Sequence, residues 1–287
     1  MPELKPSNPP ILLTGATGFI GRAFLRTCAK RHWPVCAITR KPPSPQAAAL
    51  PGVTWIIGEL DGVPAQVLAS SRALVHLAAA GVKDGRGDWD ECFAVNVARS
   101  QALWRAAAAS GVRRFLICGS CFEYGRVGER FDRIPPTAPL EPVTPYAASK
   151  AAATMLALGL AATQSLQVSV LRPFQVYGEG EAPHRFWTSL RDAAQNGRDF
   201  PMTSGEQVRD FTPVELVAES FADHLAGVPP PDGQPLVQNI GTGVGRTLRE
   251  FAEAEWLRFG ASGRLHFGAL PMRPGEVLRY VPEISQS

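Results

Sequence analysis

The first 21 residues contain a short apolar run followed by a glycine-rich turn. Residues 10–14, Pro-Ile-Leu-Leu-Thr, have the composition of a buried parallel strand. The turn carries glycine at positions 15, 18 and 21. Glycine allows a sharp turn at Gly15, close approach of a pyrophosphate at Gly18 and tight helix packing at Gly21. This order of strand, glycine loop and helix predicts a dinucleotide site, in which amides at a helix N-terminus face phosphate groups.

Strand-like and helix-like segments then alternate along the chain. Apolar runs typical of strands occupy residues 35–39, 53–57, 73–78, 114–119 and 167–172. Helical stretches lie near residues 19–31, 63–70, 89–110 and 145–164. Thr144-Pro145 is a suitable N-cap and first position for the last of these helices. The alternation predicts an α/β fold with a doubly wound parallel Rossmann sheet.

The pattern loosens after residue 173. Proline and glycine cluster at residues 178–183 and 227–235, and the segments between them are shorter. We expect a small C-terminal substrate-binding lobe over the carboxyl ends of the strands, where ligands bind in such folds. The expected division is a dinucleotide-binding domain over 1–172, with elements near 209–240 returning to it, and a small lobe over 173–208 and 241–287.

Composition excludes several classes of protein. The chain has 287 residues and a formal net charge of +3, without the basic runs of a nucleic-acid-binding protein. No uninterrupted apolar stretch approaches the length of a membrane span, so we expect no membrane partner. The N-terminus is polar and proline-rich, unlike a signal peptide. Five cysteines, an odd number, are interpreted as reduced thiols of a cytoplasmic protein, with no metal site.

A tyrosine and a lysine stand four residues apart in Tyr146-Ala-Ala-Ser-Lys150. On a helix, this spacing places both side chains on one face, about one turn apart. A nearby ammonium favours the ionised phenol, and we therefore expect Lys150 to lower the pKa of Tyr146. Such a tyrosine can exchange a proton with a carbonyl or alcohol oxygen.

The ordered motifs of the chain resemble those of the extended short-chain dehydrogenase/reductase family, specifically its nucleotide-sugar epimerases, dehydratases and 4-ketoreductases. The motifs are TGATGFIG at 14–21, VHLAA at 75–79, FAVNV at 93–97, Gly119-Ser120, YAASK at 146–150, RPFQVYG at 172–178, RDFTPV at 209–214 and NIGTG at 239–243. The resemblance covers most of the chain. It implies a nucleotide-diphosphate sugar as substrate and a homodimer as the assembly.

The resemblance also implies a role for each matched residue. Ser120 polarises the reacting oxygen, Tyr146 is the general acid or base, and Lys150 holds the nicotinamide ribose. The implied cofactor-binding residues are Gly15, Thr17, Gly18, Phe19, Ile20, Gly21, Arg40, Lys41, Glu59, Leu60, Leu77, Ala78, Ala79, Asn96, Tyr146, Lys150, Pro173 and Val176. The expected substrate-binding residues are Val82, Cys121, Phe122, Glu123, Arg185, Arg209 and Arg273.

Two features distinguish among the activities of this family. Family dehydratases carry an acidic pair after the catalytic serine or threonine, where this chain has Cys121 and Phe122. Neither side chain can act as the carboxylic acid that helps to expel water. Arg40 and Lys41 follow the second strand. At this point of the fold an arginine accommodates the 2′-phosphate of NADP, whereas an acidic residue hydrogen-bonds the ribose hydroxyls of NAD. The second feature favours NADP(H) over NAD(H), although a solvated basic turn is the alternative interpretation.

The sequence therefore predicts an NADPH-dependent nucleotide-sugar 4-ketoreductase acting on a 4-keto-6-deoxy sugar, with Tyr146 as general acid. Two alternatives stay open. One is an NAD-dependent nucleotide-sugar 4-epimerase that uses the same trio of residues. The other is a non-catalytic NADP-binding sensor or interaction protein, which the intact trio disfavours.

Overall fold

A computed structural model describes residues 8–82, 87–272 and 276–284 of the chain. The first half supplies strands β1 Ile11–Thr14, β2 Val35–Thr39, β3 Val53–Ile57, β4 Ala73–His76, β5 Arg114–Cys118 and β6 Gln167–Pro173. The helices of this half are α1 Phe19–Lys30, α2 Pro45–Ala48, α3 Ala65–Ser70, α4 Trp89–Phe93, α5 Ser100–Ala109 and α6 Pro145–Gln164. A π-helical segment, Ala94–Arg99, joins α4 to α5.

The second half of the described chain has shorter elements. Its strands are β7 Val176–Tyr177, β8 Phe200–Pro201, β9 Val208–Arg209, β10 Thr212–Pro213, β11 Leu236–Ile240, β12 Arg246–Thr247, β13 Leu265–His266 and β14 Arg279–Tyr280. Its helices are α7 Phe186–Gln195, α8 Val214–Ala226 and α9 Leu248–Arg258.

Seven strands of the described chain form one sheet in the order β11-β6-β5-β4-β1-β2-β3. Every adjacent pair is parallel. The strand order reverses beside β1, and at this switch point β1 and β4 open a crevice at their carboxyl ends. The doubly wound parallel fold predicted from the sequence is confirmed, and the predicted strands 35–39 and 53–57 have the predicted bounds.

The core lies on both faces of this sheet. Successive residues of β1 point to opposite faces, so Ile11 and Leu13 enter one cluster while Leu12 enters the other. The first cluster joins α1 to α8, where the rings of Phe24 and Phe221 meet edge to face with centroids 6.5 Å apart. This packing fixes α1 at the crevice, because α1 begins directly after the glycine loop.

A buried aspartate holds together two segments that are distant in sequence. Asp210 is fully buried, and its carboxylate accepts hydrogen bonds from Thr242 N, Thr242 Oγ1 and Gly243 N at 3.0, 2.9 and 2.6 Å. The RDFTPV and NIGTG motifs are therefore one structural unit at the carboxyl end of β11. Around them, β12-β9-β14, β7-β10 and β8-β13 form three small sheets. Among the described helices, none is long and apolar enough to cross a membrane.

Candidate active site

The glycine loop has the conformation that only glycine permits at its first position. Gly15 has a φ of +71°, and a Cβ there would lie 2.6 Å from the Ala78 backbone nitrogen. A Cβ at Gly21 would lie 2.1 Å from the Gly15 carbonyl oxygen. Gly18 is the N-cap of α1 and contributes no side chain to the cap. Backbone amides at this helix end therefore face the crevice, an arrangement that suits a dinucleotide pyrophosphate.

The wall opposite the glycine loop is formed after β4. Thr14 Oγ1 accepts a hydrogen bond from Ala78 N at 3.2 Å and also contacts His76 Nδ1 at 3.0 Å. The other ring nitrogen of His76 lies 3.0 Å from Ser100 Oγ. Burial lowers the pKa of His76 to about 3, so the ring is neutral at physiological pH. His76 is a structural residue that holds this wall in place.

Helix α6, which carries Tyr146 and Lys150, begins as the sequence predicts. Thr144 accepts a hydrogen bond from Ala147 N through its side chain, and Pro145 occupies the first helical position. Tyr146 and Lys150 are both buried on the face of α6 that borders the crevice. Lys150 Nζ donates a hydrogen bond to the Cys118 carbonyl oxygen at 2.5 Å.

Ser120 comes directly after β5 and starts a short 3₁₀ turn, Cys121–Tyr124. Its hydroxyl accepts a hydrogen bond from Phe122 N at 3.2 Å and is also hydrogen-bonded to the Tyr146 phenol. The pKa of Tyr146 is raised above its usual value, chiefly because the phenol is buried, while the Ser120 hydrogen bond acts in the opposite direction. The expectation of a lowered pKa is therefore wrong for this arrangement, because burial outweighs the Ser120 hydrogen bond and the nearby Cys118, Cys121 and Glu123 raise the pKa further.

The crevice has a volume of about 610 Å³ and extends from the end of β2 to Ser120. Arg40 and Lys41 line one end of it, where both side chains are exposed. Across from them, Glu59 Oε2 forms an ion pair with Arg99 Nη1 at 2.6 Å. Because Glu59 is expected to contact the adenosine half of a cofactor, we refer to these four charged residues as the adenosine end.

The structure brings most of the expected site residues to this crevice. The expected residues that line it are Gly15, Thr17, Gly18, Phe19, Ile20, Gly21, Arg40, Lys41, Glu59, Leu60, Leu77, Ala78, Ala79, Val82, Ser120, Cys121, Phe122, Tyr146, Lys150, Pro173, Val176 and Arg185. The ring of Phe122 meets the Tyr146 ring edge to face, with centroids 6.3 Å apart.

Three expected residues do not line the crevice. Asn96 lies behind the wall, where its amide group bonds both the N–H and the C=O of Ala80 and the hydroxyl of Ser149. Glu123 is fully buried and points away from the crevice into an ion pair with Arg172. These two residues support the site from behind, because their polar groups are already satisfied within the protein.

Arg209 is the third of these residues. Its guanidinium donates to the carbonyl oxygens of Val208, Val277 and Leu278 and faces Glu276 at 3.6 Å. Burial lowers the pKa of this guanidinium. Arg209 therefore attaches the C-terminal segment to β9, and its guanidinium is engaged within the protein and does not line the crevice. Arg273 lies outside the described residues.

Sequence reasoning missed several residues that line the crevice. Arg99 follows Asn96 by three residues, and its partner Glu59 is 40 positions away, so no local signal connects the two. Gln175 and Glu181 also line the crevice, in the segment after β6. Glu181 is nearly buried, its pKa is raised by burial, and Arg185 Nε lies 3.4 Å from its Oε1. Its position in the segment after the carboxyl end of β6 was the available signal.

The fold and the glycine loop define a dinucleotide-binding α/β protein, whose crevice also brings together Ser120, Tyr146 and Lys150. The model of the NAD-dependent epimerase/dehydratase family matches residues 11–230, and the chain belongs to this family. A dTDP-glucose 4,6-dehydratase from Streptomyces antibioticus is 31% identical over 84% of this chain and 74% of the relative.

Solved structures of proteins that bind or act on nucleotide sugars are also similar to this chain. MoeE5 in complex with UDP-glucuronic acid and NAD superposes with a TM-score of 0.82 at 29% identity, covering 96% of this chain and 90% of that one. A UDP-glucose 4-epimerase from Thermus thermophilus in complex with NAD gives a TM-score of 0.80 at 26% identity, with the same coverage. The resemblance to the extended short-chain dehydrogenase/reductase family is thereby confirmed.

Proposed function

We propose that this protein is a nucleotide-sugar oxidoreductase that uses NADPH to reduce the 4-keto group of a 4-keto-6-deoxy sugar. The observation that carries the proposal is the grouping of Ser120, Tyr146 and Lys150 at one end of the crevice, with Arg40 and Lys41 at the other. The relatives that bind NAD together with a UDP-sugar support this class of cofactor and substrate.

Each member of the trio has a defined task in this reaction. A bound reduced nicotinamide supplies the hydride to the sugar carbon. Tyr146 donates a proton to the sugar oxygen, and burial keeps its phenol protonated at neutral pH, as a proton donor requires. Ser120 donates a hydrogen bond to the same oxygen. Lys150, held by the Cys118 carbonyl, binds the ribose of the cofactor.

Arg40 and Lys41 support the preference for NADPH. Both cations line the adenosine end and lack a carboxylate partner among the ion pairs of the described residues. A guanidinium fork matches a phosphate group in geometry and charge. At the other end of the crevice, Arg185 is the arginine positioned to hold the diphosphate of the substrate.

Dehydration is disfavoured in spite of the dehydratase relative. Cys121 and Phe122 occupy the positions that follow Ser120, and burial raises the pKa of the Cys121 thiol to about 12. Glu123 supplies a carboxylate one position later, but it points away from the crevice. No acid of this turn therefore reaches the sugar to protonate a leaving hydroxyl group.

A 4-epimerase is the second candidate function. It would use the same trio, retain NAD and return the hydride to the opposite face of the sugar ring. The NAD-bound epimerase from Thermus thermophilus, which has the same overall fold, favours this candidate. Arg40 disfavours it, because an epimerase that retains its cofactor gains nothing from a 2′-phosphate site. A non-catalytic sensor has no need for an intact Ser120, Tyr146 and Lys150.

Cofactor stoichiometry separates these functions. The purified protein is incubated with NADPH and a panel of dTDP-, GDP-, CDP- and UDP-linked 4-keto-6-deoxy sugars, and absorbance at the NADPH band is followed. A reductase consumes one NADPH per 4-hydroxy product. Retained NAD, with interconversion of two epimeric sugars and no net cofactor change, would replace the first proposal with the second. Absence of both reactions would favour the sensor.

We also propose that the protein forms a homodimer through α4 and α6. Trp89 and Phe93 on α4 are stacked with ring centroids 5.8 Å apart, and both are exposed. Met155 on α6, which packs against α4, is 61% exposed. A two-fold axis would bury these apolar groups symmetrically. In sedimentation velocity, Met155→Lys should run as a monomer; a wild-type monomer would refute the proposal.

A further inference from the structure

The Glu123 carboxylate lies directly behind the catalytic serine. It is completely buried, and its Oε1 accepts a hydrogen bond from the Ser120 backbone amide at 2.7 Å. Its Oε2 accepts hydrogen bonds from Thr154 Oγ1 and from Arg172 Nε, both at 2.8 Å. One side chain thus connects the serine turn with two other elements of the fold.

One of these elements is the catalytic helix. Thr154 stands four residues after Lys150 and eight after Tyr146, so all three side chains lie on one face of α6. The hydrogen bond from Thr154 therefore attaches the turn that carries Ser120 to the helix that carries the other two members of the trio.

The other element is β6, through Arg172. This guanidinium donates to the Tyr124 hydroxyl at 2.9 Å and to the Pro136 carbonyl oxygen at 3.1 Å. The Tyr124 hydroxyl in turn donates to Asn239 Oδ1 on β11 at 2.6 Å. Arg172 is 3% exposed, so the ion pair is isolated from solvent.

The backbone leaves room for this pair. A Cβ at Gly119 would lie 2.8 Å from both Arg172 Cγ and Glu123 Oε1. Moreover, a buried ion pair is often no more stabilising than a pair of well-packed apolar side chains. Stability alone therefore gives little reason for a carboxylate at this point of the turn. The need to hold Ser120 in place gives a better reason.

We propose that Glu123 is a positioning residue for the reaction, fixing Ser120 relative to Tyr146 and Lys150. This inference rests on the proposed function, since it assigns Ser120 a role in catalysis. A carboxylate suits the task because it presents one acceptor oxygen to the serine amide and another to Thr154 and Arg172 together. Glutamine has one acceptor oxygen and would direct its amide donors at one of these groups.

Two variants of the protein test the proposal. Thr154→Val keeps the shape of the side chain and the ion pair but removes the bond to α6, and Glu123→Gln removes the charge. The control is Thr163→Val on the same helix, whose exposed hydroxyl donates to Gly159 O within that helix. For each protein we would measure hydrogen exchange of the Ser120 amide by NMR, and kcat and KM with NADPH and dTDP-4-keto-6-deoxyglucose.

In both variants we expect the Ser120 turn to become less well ordered and turnover to decrease. Exchange of the Ser120 amide should accelerate about tenfold in Glu123→Gln, as loss of one hydrogen bond implies, and by less in Thr154→Val. In both variants kcat should fall by about 10- to 100-fold with little change in KM, because misplacement of a catalytic group affects the chemical step. Thr163→Val should match the wild type in both measurements.

The two measurements separate failure of the inference from failure of the proposed function. Unchanged amide exchange in both variants overturns the positioning role, and so does faster exchange with unchanged kcat, which would mean a purely structural role. If Glu123→Gln does not fold, Thr154→Val decides by the same criteria. If the wild type does not turn over any sugar of the panel, the proposed reaction fails, and exchange alone then supports or overturns the attachment of the turn.

Discussion

The Lys150 ammonium is held by the backbone carbonyl of Cys118, at a distance of 2.5 Å. Cys118 is the last residue of β5 and precedes Ser120 by two positions, so this hydrogen bond joins α6 to the strand end that carries the serine. The lysine side chain is therefore oriented by the protein itself. Tyr146, one turn earlier on the same helix, shares this fixed geometry.

Tyr146→Phe should bind the cofactor with wild-type affinity and lose most of the turnover. The substitution removes only the transferable proton, and a general acid contributes about 10²- to 10⁴-fold. The measurements are a fluorescence titration with NADPH and kcat with the active sugar of the panel. Tyr177→Phe is the matched control, because Tyr177 lies outside the crevice lining. Wild-type turnover in Tyr146→Phe would remove Tyr146 from the mechanism.

Arg40→Ala should weaken binding of NADPH more than binding of NADH. Loss of a hydrogen bond to a charged group costs about 1.5–3 kcal/mol, and only NADPH carries the 2′-phosphate that would make this bond. Calorimetric titration of both cofactors provides the comparison. Arg26→Ala, which removes an arginine of α1 that faces Glu215 at 3.7 Å, should affect neither. If binding of NADPH and binding of NADH are weakened equally, Arg40 does not contact the 2′-phosphate.

Gly21→Ala should disturb the glycine loop and abolish tight cofactor binding. The added Cβ would lie 2.1 Å from the Gly15 carbonyl oxygen, so backbone must move, at a cost of about 1–3 kcal/mol. Gly159→Ala is the control, since nothing lies within 4 Å of its Cβ and it sits in the middle of α6. The free energy of unfolding of Gly159→Ala should increase by about 0.5–1 kcal/mol. Thermal unfolding and NADPH titration distinguish the two; intact binding in Gly21→Ala would contradict the proposed role of the loop.

His76 should make the protein less stable as the pH falls below about 6.5. The folded pKa of His76 is lowered to about 3 from an ordinary value of 6.5, because the ring is buried. Between these values the unfolded chain binds a proton that the folded protein does not, so stability declines as pH decreases through this window. From pH 7 to pH 5 the contribution is about 2 kcal/mol.

Urea unfolding of the wild type and of His76→Asn at pH 7 and pH 5 measures this contribution. The variant lacks the titrating ring, so its free energy of unfolding should fall less over the same interval. Comparing the change with pH in each protein removes the contributions of the other histidines. Identical changes in the two proteins would mean that folding does not lower the pKa of His76.

The sequence by itself determined the alternation of strands and helices that gives the parallel sheet, and the class of the site. The glycine loop, the Tyr146–Lys150 spacing and the Thr144 cap are local patterns, and each dictates a local conformation with few alternatives. Because parallel strands end at one edge of a sheet, placing Ser120 after β5 was enough to predict that it lies near the crevice.

Only the tertiary structure decided which charged side chains reach the crevice. Glu123 and Arg209 have the residue type and the position of ligand-binding groups, yet Arg172 and the carbonyls of 277–278 engage them inside the protein. Arg99, which had no local signal, does line the crevice. The direction of a side chain at the end of an element depends on partners far away in sequence, and burial makes those partners obligatory for a charge. Sequence spacing does not encode such partners, so they become visible only when the chain is folded.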